Sequence, residues 1–221
     1  MKPVCLFDLD GTLTNPQAGI VACIEHAFHS LGRRAPDRAE LRGWIGPPLQ
    51  ESFHQALGTH LDAERALGAY RERFDEIGWR ENELVPEMPE LLSDLAGLGA
   101  RCRVVTSKPQ VFASRIVEHF GLDRWFEGVF GSELDGRRTG KAELIRYCVE
   151  DGDIPASAAV MIGDRRHDVD GALACGIASV GVLWGFGSRA ELLRAGADHV
   201  VSRPLELIVT IEQMITGGTN R

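Results

Sequence analysis

Two acidic residues directly follow the first apolar stretch of the chain. Residues 4–7 read Val-Cys-Leu-Phe, and Asp8 and Asp10 come next, before the turn signal of Gly11. A short apolar run that ends in such a turn is typical of a buried β-strand. Because open α/β sheets bind ligands at the carboxyl ends of their strands, both carboxylates are predicted to lie at a ligand site.

The spacing of these two carboxylates indicates a chemistry. Side chains two positions apart on an extended chain point the same way, and their mutual repulsion requires a cation or a proton between them. Mg²⁺ is a hard cation that prefers oxygen ligands of this kind. One aspartate could then attack a phosphorus atom to form an aspartyl-phosphate, while the other moves a proton to the leaving oxygen. For an isolated Asp-x-Asp pattern, the alternative is a turn in which the side chains only cap backbone donors.

Further apolar runs alternate with helical patterns along the rest of the chain. The predicted strands after the first one are 101–105, 129–130, 158–162, 179–183 and 199–201. Strands separated by helices predict a parallel sheet with right-handed crossovers. The predicted fold class is therefore α/β, with a three-layer Rossmann-like core and a mostly parallel sheet.

A long helical segment interrupts this alternation. From residue 33 to residue 86 the pattern is helical and polar, with no convincing strand. We predict that residues 15–86 form an inserted α-helical cap domain and that residues 1–14 and 87–221 form the core. A unit inserted directly after a catalytic strand can close over the site and exclude water.

Three other stretches place polar groups beside predicted strand ends or helix starts. Thr106 and Ser107 follow the second core strand, where a hydroxyl and the backbone N–H groups of the next helix make a phosphate cradle, although the same pattern also starts ordinary helices. Lys141 opens an apolar-periodic helix after a basic loop, and Asp164 and Asp168 come after another apolar strand.

Taken in order, these motifs resemble those of the haloacid dehalogenase-like hydrolases. The stretch Phe-Asp-Leu-Asp-Gly-Thr-Leu-Thr around Asp8 is similar to the first motif of that superfamily, and the other three motifs follow in sequence. The resemblance implies that Asp8 is the nucleophile and Asp10 the proton shuttle. It also implies that Thr106, with Ser107 beside it, binds the phosphoryl group and that Lys141 neutralises the nucleophile and the phosphate.

The resemblance further implies a Mg²⁺ site. Its ligands would be Asp8, the backbone carbonyl of Asp10, and Asp164, with Asp168 bracing the site from behind. Directly after the residue that corresponds to Asp164, family members commonly carry a small or hydroxylated residue, where this chain has Arg165. Whether that arginine reaches solvent or substrate is left open by the sequence.

The inserted segment resembles the cap of the phosphoglycolate phosphatase-like and 5'-nucleotidase-like branch, most clearly in residues 41–49. This predicts a phosphatase for a small phosphomonoester, with a phosphoglycolate-like acid slightly preferred over a nucleoside 5'-monophosphate. An acid leaving group would need a cation in the cap, for which Arg42 is the predicted residue. A nucleoside would need an aromatic shelf, for which Trp44 is the predicted residue.

Single residues separate the sister chemistries of the fold. Dehalogenases resemble it but lack the second aspartate, so Asp10 argues against them. Phosphonate-cleaving members use a cap lysine, and residues 15–86 contain none. The alternatives that remain are a β-phosphoglucomutase-like phosphotransferase and a catalytically silent binding module, although every motif position holds a competent residue.

Charge and hydropathy restrict the partners. The formal net charge of -8 opposes binding to a nucleic-acid polymer or an anionic membrane. No apolar run approaches the roughly 20 residues of a membrane span, and the first residues do not form a signal peptide. We expect a cytoplasmic enzyme, monomeric or homodimeric, that acts on a small molecule. Lys2, Lys108 and Lys141 are the chain's only lysines, so their positions are informative.

Overall fold

A central parallel sheet organises the protein. A computed structural model describes residues 2–217. The strands in this range are β1 (Val4–Phe7), β2 (Thr14–Asn15), β3 (Glu83–Leu84), β4 (Arg101–Pro109), β5 (Phe126–Ser132), β6 (Ala159–Gly163), β7 (Ala178–Val182) and β8 (His199–Val201). Six of them form one sheet in the order β5-β4-β1-β6-β7-β8, and β2 and β3 form a separate pair. All neighbours in the large sheet are parallel, which confirms the predicted fold class.

Helices connect these strands. The α-helices of the described range are α1 (Gln17–Ser30), α2 (Arg38–Leu41), α3 (Leu49–Leu57), α4 (His60–Arg73), α5 (Met88–Gly97), α6 (Gln110–His119), α7 (Lys141–Asp151), α8 (Arg166–Ala174), α9 (Arg189–Ala195) and α10 (Glu206–Gly217). Within residues 2–217, none of the helices is both long enough and apolar enough to cross a membrane.

The sheet is buried on both faces, which explains why its strands are apolar runs. Successive side chains of a strand point to opposite faces. On β1, Cys5 and Phe7 belong to one hydrophobic cluster, together with residues of α5, α6 and α10. Val4 and Leu6 belong to a second cluster, together with residues of α7 and α8. Full burial of side chains such as these stabilises the fold by roughly 1.5–3 kcal/mol each, and the two clusters make the core a three-layer structure.

The segment between β2 and β3 forms the helical insertion. It contains α1 to α4 and a π-helical turn at Phe74–Gly78. The chain leaves and re-enters the core side by side, since Thr14 pairs with Leu84 and Asn15 with Glu83 in antiparallel register. No strand was predicted at β3, because two residues are too short to show a period. The predicted cap, residues 15–86, begins and ends at this pair, and its status as a separate domain remains a prediction.

Candidate active site

The acidic residues of the first motif lie at the carboxyl edge of the sheet. Asp8 follows β1, and its backbone N–H donates to the Ile162 carbonyl of neighbouring β6 at 2.9 Å. The side chains are buried, with Asp8 at 5% and Asp10 at 8% exposure. Parallel pairing places Phe7 opposite both Val104 of β4 and Ile162 of β6. The strand ends that carry the predicted motifs are therefore adjacent in space.

Three buried carboxylates converge at this edge. Asp8, Asp164 and Asp168 each offer an oxygen, and these atoms all lie within 4.8 Å of one another. Burial, followed by the charges of Asp168 and Asp8, raises the pKa of Asp164 well above its usual range. Burial likewise raises the pKa of Asp168 to about 6, against the opposing effect of Lys141. A cation placed between these groups would favour their ionised forms.

The donor set of this cluster fits a hard divalent cation. The Oδ2 atom of Asp164 accepts from the Phe186 N–H at 2.7 Å, whereas its buried Oδ1 has no hydrogen-bond partner among the described residues. An orphaned buried carboxylate oxygen is costly unless a cation or proton satisfies it. Oxygen-only ligands in this number suit Mg²⁺.

A close backbone approach next to this cluster explains one glycine of the first motif. Gly11 has a φ of 85°, and a Cβ atom built there would lie 2.4 Å from Oδ2 of Asp164. No side chain could occupy that space, and the left-handed conformation also favours glycine. The turn after the aspartates thus leaves space for the carboxylate of Asp164, which directly follows β6.

Lys141 lies between two of the carboxylates. Its Nζ atom is 2.8 Å from an oxygen of Asp8 and 2.8 Å from an oxygen of Asp168, and it donates to the Val105 carbonyl at 3.0 Å. Burial alone would lower the pKa of this amine, but the two carboxylates outweigh burial and raise it above its ordinary value. Lys141 is therefore a fixed positive charge beside the predicted nucleophile.

A second lysine, which sequence reasoning did not assign, contacts the other aspartate. The Nζ atom of Lys108 is 2.6 Å from Oδ2 of Asp10 and 4.6 Å from the ring centroid of Phe74. Burial raises the pKa of the Asp10 carboxyl, and the lysine charge opposes that rise. The one signal for this role in the sequence was the scarcity of lysine. Two of the three lysines, Lys108 and Lys141, lie beside Asp10 and Asp8.

The predicted phosphate-binding hydroxyls lie at the end of β4. Thr106 is buried, and its Oγ1 atom accepts from the Lys108 N–H at 3.2 Å. The hydroxyl of Ser107 donates to the Thr139 carbonyl at 3.0 Å. Both residues line a cavity next to Asp8. The Thr106 hydroxyl accepts in its contact with Lys108, so it can still donate its proton to an oxygen of a ligand.

That cavity lies between the sheet edge and the helical insertion. Its volume is about 120 Å³. From the sheet side it is lined by Asp8, Asp10, Thr106, Ser107 and Lys108. From the insertion it is lined by Trp44, Pro47, Leu67, Tyr70, Arg71 and Phe74. The insertion therefore covers the cluster of predicted catalytic residues, as expected for a cap.

Comparison with known proteins identifies the family. Residues 5–182 match the family model described as haloacid dehalogenase-like hydrolase. The chain belongs to this family. It is 48% identical over 198 residues to the 5'-nucleotidase of Pseudomonas aeruginosa, covering 89% of this chain and 90% of that protein.

Two further similarities extend over most of the chain. Tyrosine-protein kinase PtkA of Mycobacterium tuberculosis is 39% identical over 197 residues, covering 89% of this chain and 67% of that protein. The crystal structure of a predicted phosphatase from Clostridium acetobutylicum aligns with a TM-score of 0.92 at 39% identity, covering 96% of this chain and 99% of that chain. The protein is therefore a phosphomonoester hydrolase, a haloacid dehalogenase-like phosphatase.

The two cap residues predicted for this hydrolase lie in different places. Trp44 lines the cavity and packs edge-on against Phe53, with ring centroids 5.5 Å apart. Arg42 is exposed and is not among the lining residues; its guanidinium lies 5.6 Å from the ring centroid of Phe186. In this conformation the cation predicted to meet the leaving group therefore lies outside the cavity.

Another cap arginine, Arg71, does line the cavity. It lies near the end of α4, and burial lowers its pKa. Within residues 2–217 it has no ion-pair partner. The adjacent Tyr70 is buried, and within the same range its hydroxyl has no hydrogen-bond partner. The sequence did not single out Arg71, because α4 contains several arginines that no periodicity distinguishes.

Proposed function

We propose that this hydrolase is a Mg²⁺-dependent phosphatase that transfers the phosphoryl group of a small monoester first to Asp8 and then to water. The observation that carries the proposal is the position of Asp8: it is buried at the sheet edge, 2.8 Å from the Lys141 amine, and its carboxylate lies within 4.8 Å of Asp164. A carboxylate held between a fixed cation and a metal-type donor set suits attack on an anionic phosphate.

The metal would be held by Asp8, Asp164 and the backbone carbonyl of Asp10. Bound there, Mg²⁺ would neutralise the oxygens of the transferring group and orient them for in-line displacement. Asp168 would hold Lys141 in place from the other side, since its oxygen lies 2.8 Å from the same amine.

In the first chemical step, a carboxylate oxygen of Asp8 forms a bond to phosphorus, and the bond from phosphorus to the leaving oxygen breaks. Asp10 donates its proton to that oxygen. Burial raises the pKa of Asp10 more than the Lys108 amine lowers it, which supports a carboxyl group that can carry this proton.

In the second step, water attacks the phosphorus of the aspartyl-phosphate. Asp10 takes the water proton, the bond between Asp8 and phosphorus breaks, and inorganic phosphate leaves. Lys141 compensates the charge at Asp8 in both steps, and the Thr106 hydroxyl donates to a phosphate oxygen. The cap excludes bulk water, so that these charges act at short range in a low dielectric.

We place nucleoside 5'-monophosphates first among the candidate substrates, which reverses the slight preference drawn from the sequence. The relative that is 48% identical over 89% of this chain is a 5'-nucleotidase. Trp44 lines the cavity and is held by packing against Phe53, so its ring is available as a shelf for a base.

A small phosphorylated acid is the second candidate, because a cationic side chain of the cap lines the cavity. Arg71 replaces Arg42 as the proposed partner of the acid group, since it reaches the cavity and has no carboxylate partner among residues 2–217.

Values of kcat/KM at fixed Mg²⁺ for both substrate classes decide between them. With a nucleotide as substrate, Trp44→Ala should lower kcat/KM by roughly tenfold or more and Arg71→Ala by much less. With a small acid, Arg71→Ala should cost roughly tenfold to a hundredfold, because a hydrogen bond to a charged group contributes about 1.5–3 kcal/mol. Arg65→Ala is the control, since Arg65 is on the same helix and exposed.

A further inference from the structure

We infer that Arg165 holds the cap loop, residues 42–48, against the core and is thereby a positioning residue for substrate. Arg165 directly follows Asp164, on the loop between β6 and α8. Its Nη1 atom donates to the Ile45 carbonyl at 2.5 Å. A single side chain thus joins the loop that carries a predicted metal ligand to the loop that lines the cavity.

A carboxylate on the core orients this arginine. The Nε atom of Arg165 donates to Oε1 of Glu191 at 3.0 Å, and the same oxygen accepts from the Arg166 backbone N–H at 3.0 Å. Burial acts to raise the pKa of Glu191, but the hydrogen bonds from the Arg166 backbone N–H and the Arg165 guanidinium outweigh burial and lower this pKa below its ordinary value. The Arg165 side chain is only 14% exposed. The planar guanidinium therefore has one edge held by the core and another directed at the cap.

The cap loop is shaped to receive this guanidinium. Gly46 has a φ of 107°, and a Cβ atom built there would lie 3.3 Å from Cγ and 3.4 Å from Nη1 of Arg165. Ile45 is almost fully buried. On its other side the same loop lines the cavity through Gly46, Pro47 and Pro48. The contact that fixes the loop therefore also fixes one wall of the substrate cavity.

Arginine is suited to this position by its chemistry. Its rigid fork can donate to the Glu191 carboxylate and to the Ile45 carbonyl at once, whereas a lysine amine is a compact point charge on a flexible stem. Arg165→Lys should therefore retain the contact to one partner only. The sequence left open whether Arg165 reaches solvent or substrate. In the structure its guanidinium is directed at the backbone of the cap.

Two measurements on the full chain test this role. The first is amide hydrogen exchange in residues 42–46. It needs no turnover, so it stays valid even if the proposed reaction is wrong. Arg165→Ala should speed exchange there by roughly tenfold, as for loss of a hydrogen bond from a charged donor. Arg166→Ala is the matched control: its neighbouring guanidinium is exposed and pairs with Asp170 on its own helix.

The second measurement separates KM from binding of inorganic phosphate. Arg165→Ala should raise KM for a monoester by roughly tenfold and leave the inhibition constant of inorganic phosphate within about twofold, because phosphate needs only the sheet edge. The KM of Arg165→Lys should lie between the KM of Arg165→Ala and that of wild type. Circular dichroism establishes that each variant is folded.

Two outcomes would overturn the inference. Exchange in residues 42–46 that is unchanged in Arg165→Ala would show that the loop is held by other contacts. A parallel rise of KM and of the phosphate inhibition constant would show that the substitution disturbs the core site and not the cap. Glu191→Gln should shift both readouts in the same direction as Arg165→Ala, and adding it to Arg165→Ala should have little further effect, as for residues that act as a unit.

Discussion

Replacing Lys141 by methionine removes a buried charge from between two buried carboxylates. The amine is 2.8 Å from Asp8 and from Asp168, and its side chain is 4% exposed. At an effective dielectric constant of about 20, each contact has a Coulomb energy of about 6 kcal/mol. Desolvation offsets most of this, and breaking a buried pair by removing one partner costs about 3–5 kcal/mol.

This cost is a large part of a typical folding free energy of about 5–15 kcal/mol. We expect metal-free Lys141→Met to remain folded, with its urea midpoint lowered by roughly 1–2 M for an m-value of about 2–3 kcal/mol/M. Turnover should fall by about a hundredfold or more, since a charge aimed at the transition state contributes about 2.7–4 kcal/mol. Lys2→Met is the control, because Lys2 is exposed.

The destabilisation should depend on pH. Burial already raises the pKa of Asp168 to about 6, and Lys141 counteracts this rise, so the variant's Asp168 should titrate higher still. The folded carboxyl then binds a proton that the unfolded one has released, and stability falls as pH rises through the folded pKa. The deficit relative to wild type should therefore be larger at pH 8 than at pH 5. A midpoint within about 0.3 M of wild type, with turnover within tenfold, would refute this reasoning.

Three further predictions concern the same edge of the sheet. Asp8→Asn and Asp10→Asn should both abolish turnover, and labelled phosphate should be trapped on wild type but not on Asp8→Asn. If Asp8→Asn retained a tenth of the wild-type rate, a loss of only about 1.4 kcal/mol, covalent catalysis by Asp8 would be excluded. Activity should disappear in excess EDTA, and Asp164→Ala should raise the Mg²⁺ concentration for half-maximal activity by roughly tenfold or more; full activity in EDTA would contradict this. Lys108→Met should lower kcat by roughly tenfold and move the Asp10 limb of the pH profile to higher pH, because the charge that lowers the pKa of Asp10 is lost. A limb that stays in place would show that the contact with Lys108 does not set the pKa of Asp10.

The sheet edge could be anticipated because its determinants are local. The run 4–7 is apolar at every position because β1 is covered on both faces, and a strand buried on both faces cannot alternate. Parallel strands end at the same edge. Residues placed directly after such strands, as Asp8 and Asp164 are, must then lie near one another. The same logic brought Thr106 to the cavity.

Contacts between the insertion and the core were decided only by the tertiary structure. Helical periodicity predicts which face of α4 is buried, but not which of its arginines meets the cavity, and Arg71 was therefore missed. The two-residue pairing of β2 with β3 joins positions about 70 residues apart and leaves no local pattern.

The Arg165 contact shows the same division most clearly. An arginine directly after Asp164 was visible in the sequence, but its partner, the Ile45 carbonyl, is 120 residues away and is a backbone atom that every residue possesses. Only the packing of the insertion against the core selects that carbonyl. Local sequence thus determined the elements and the chemistry at the strand ends, while the relative placement of cap and core determined what closes over them.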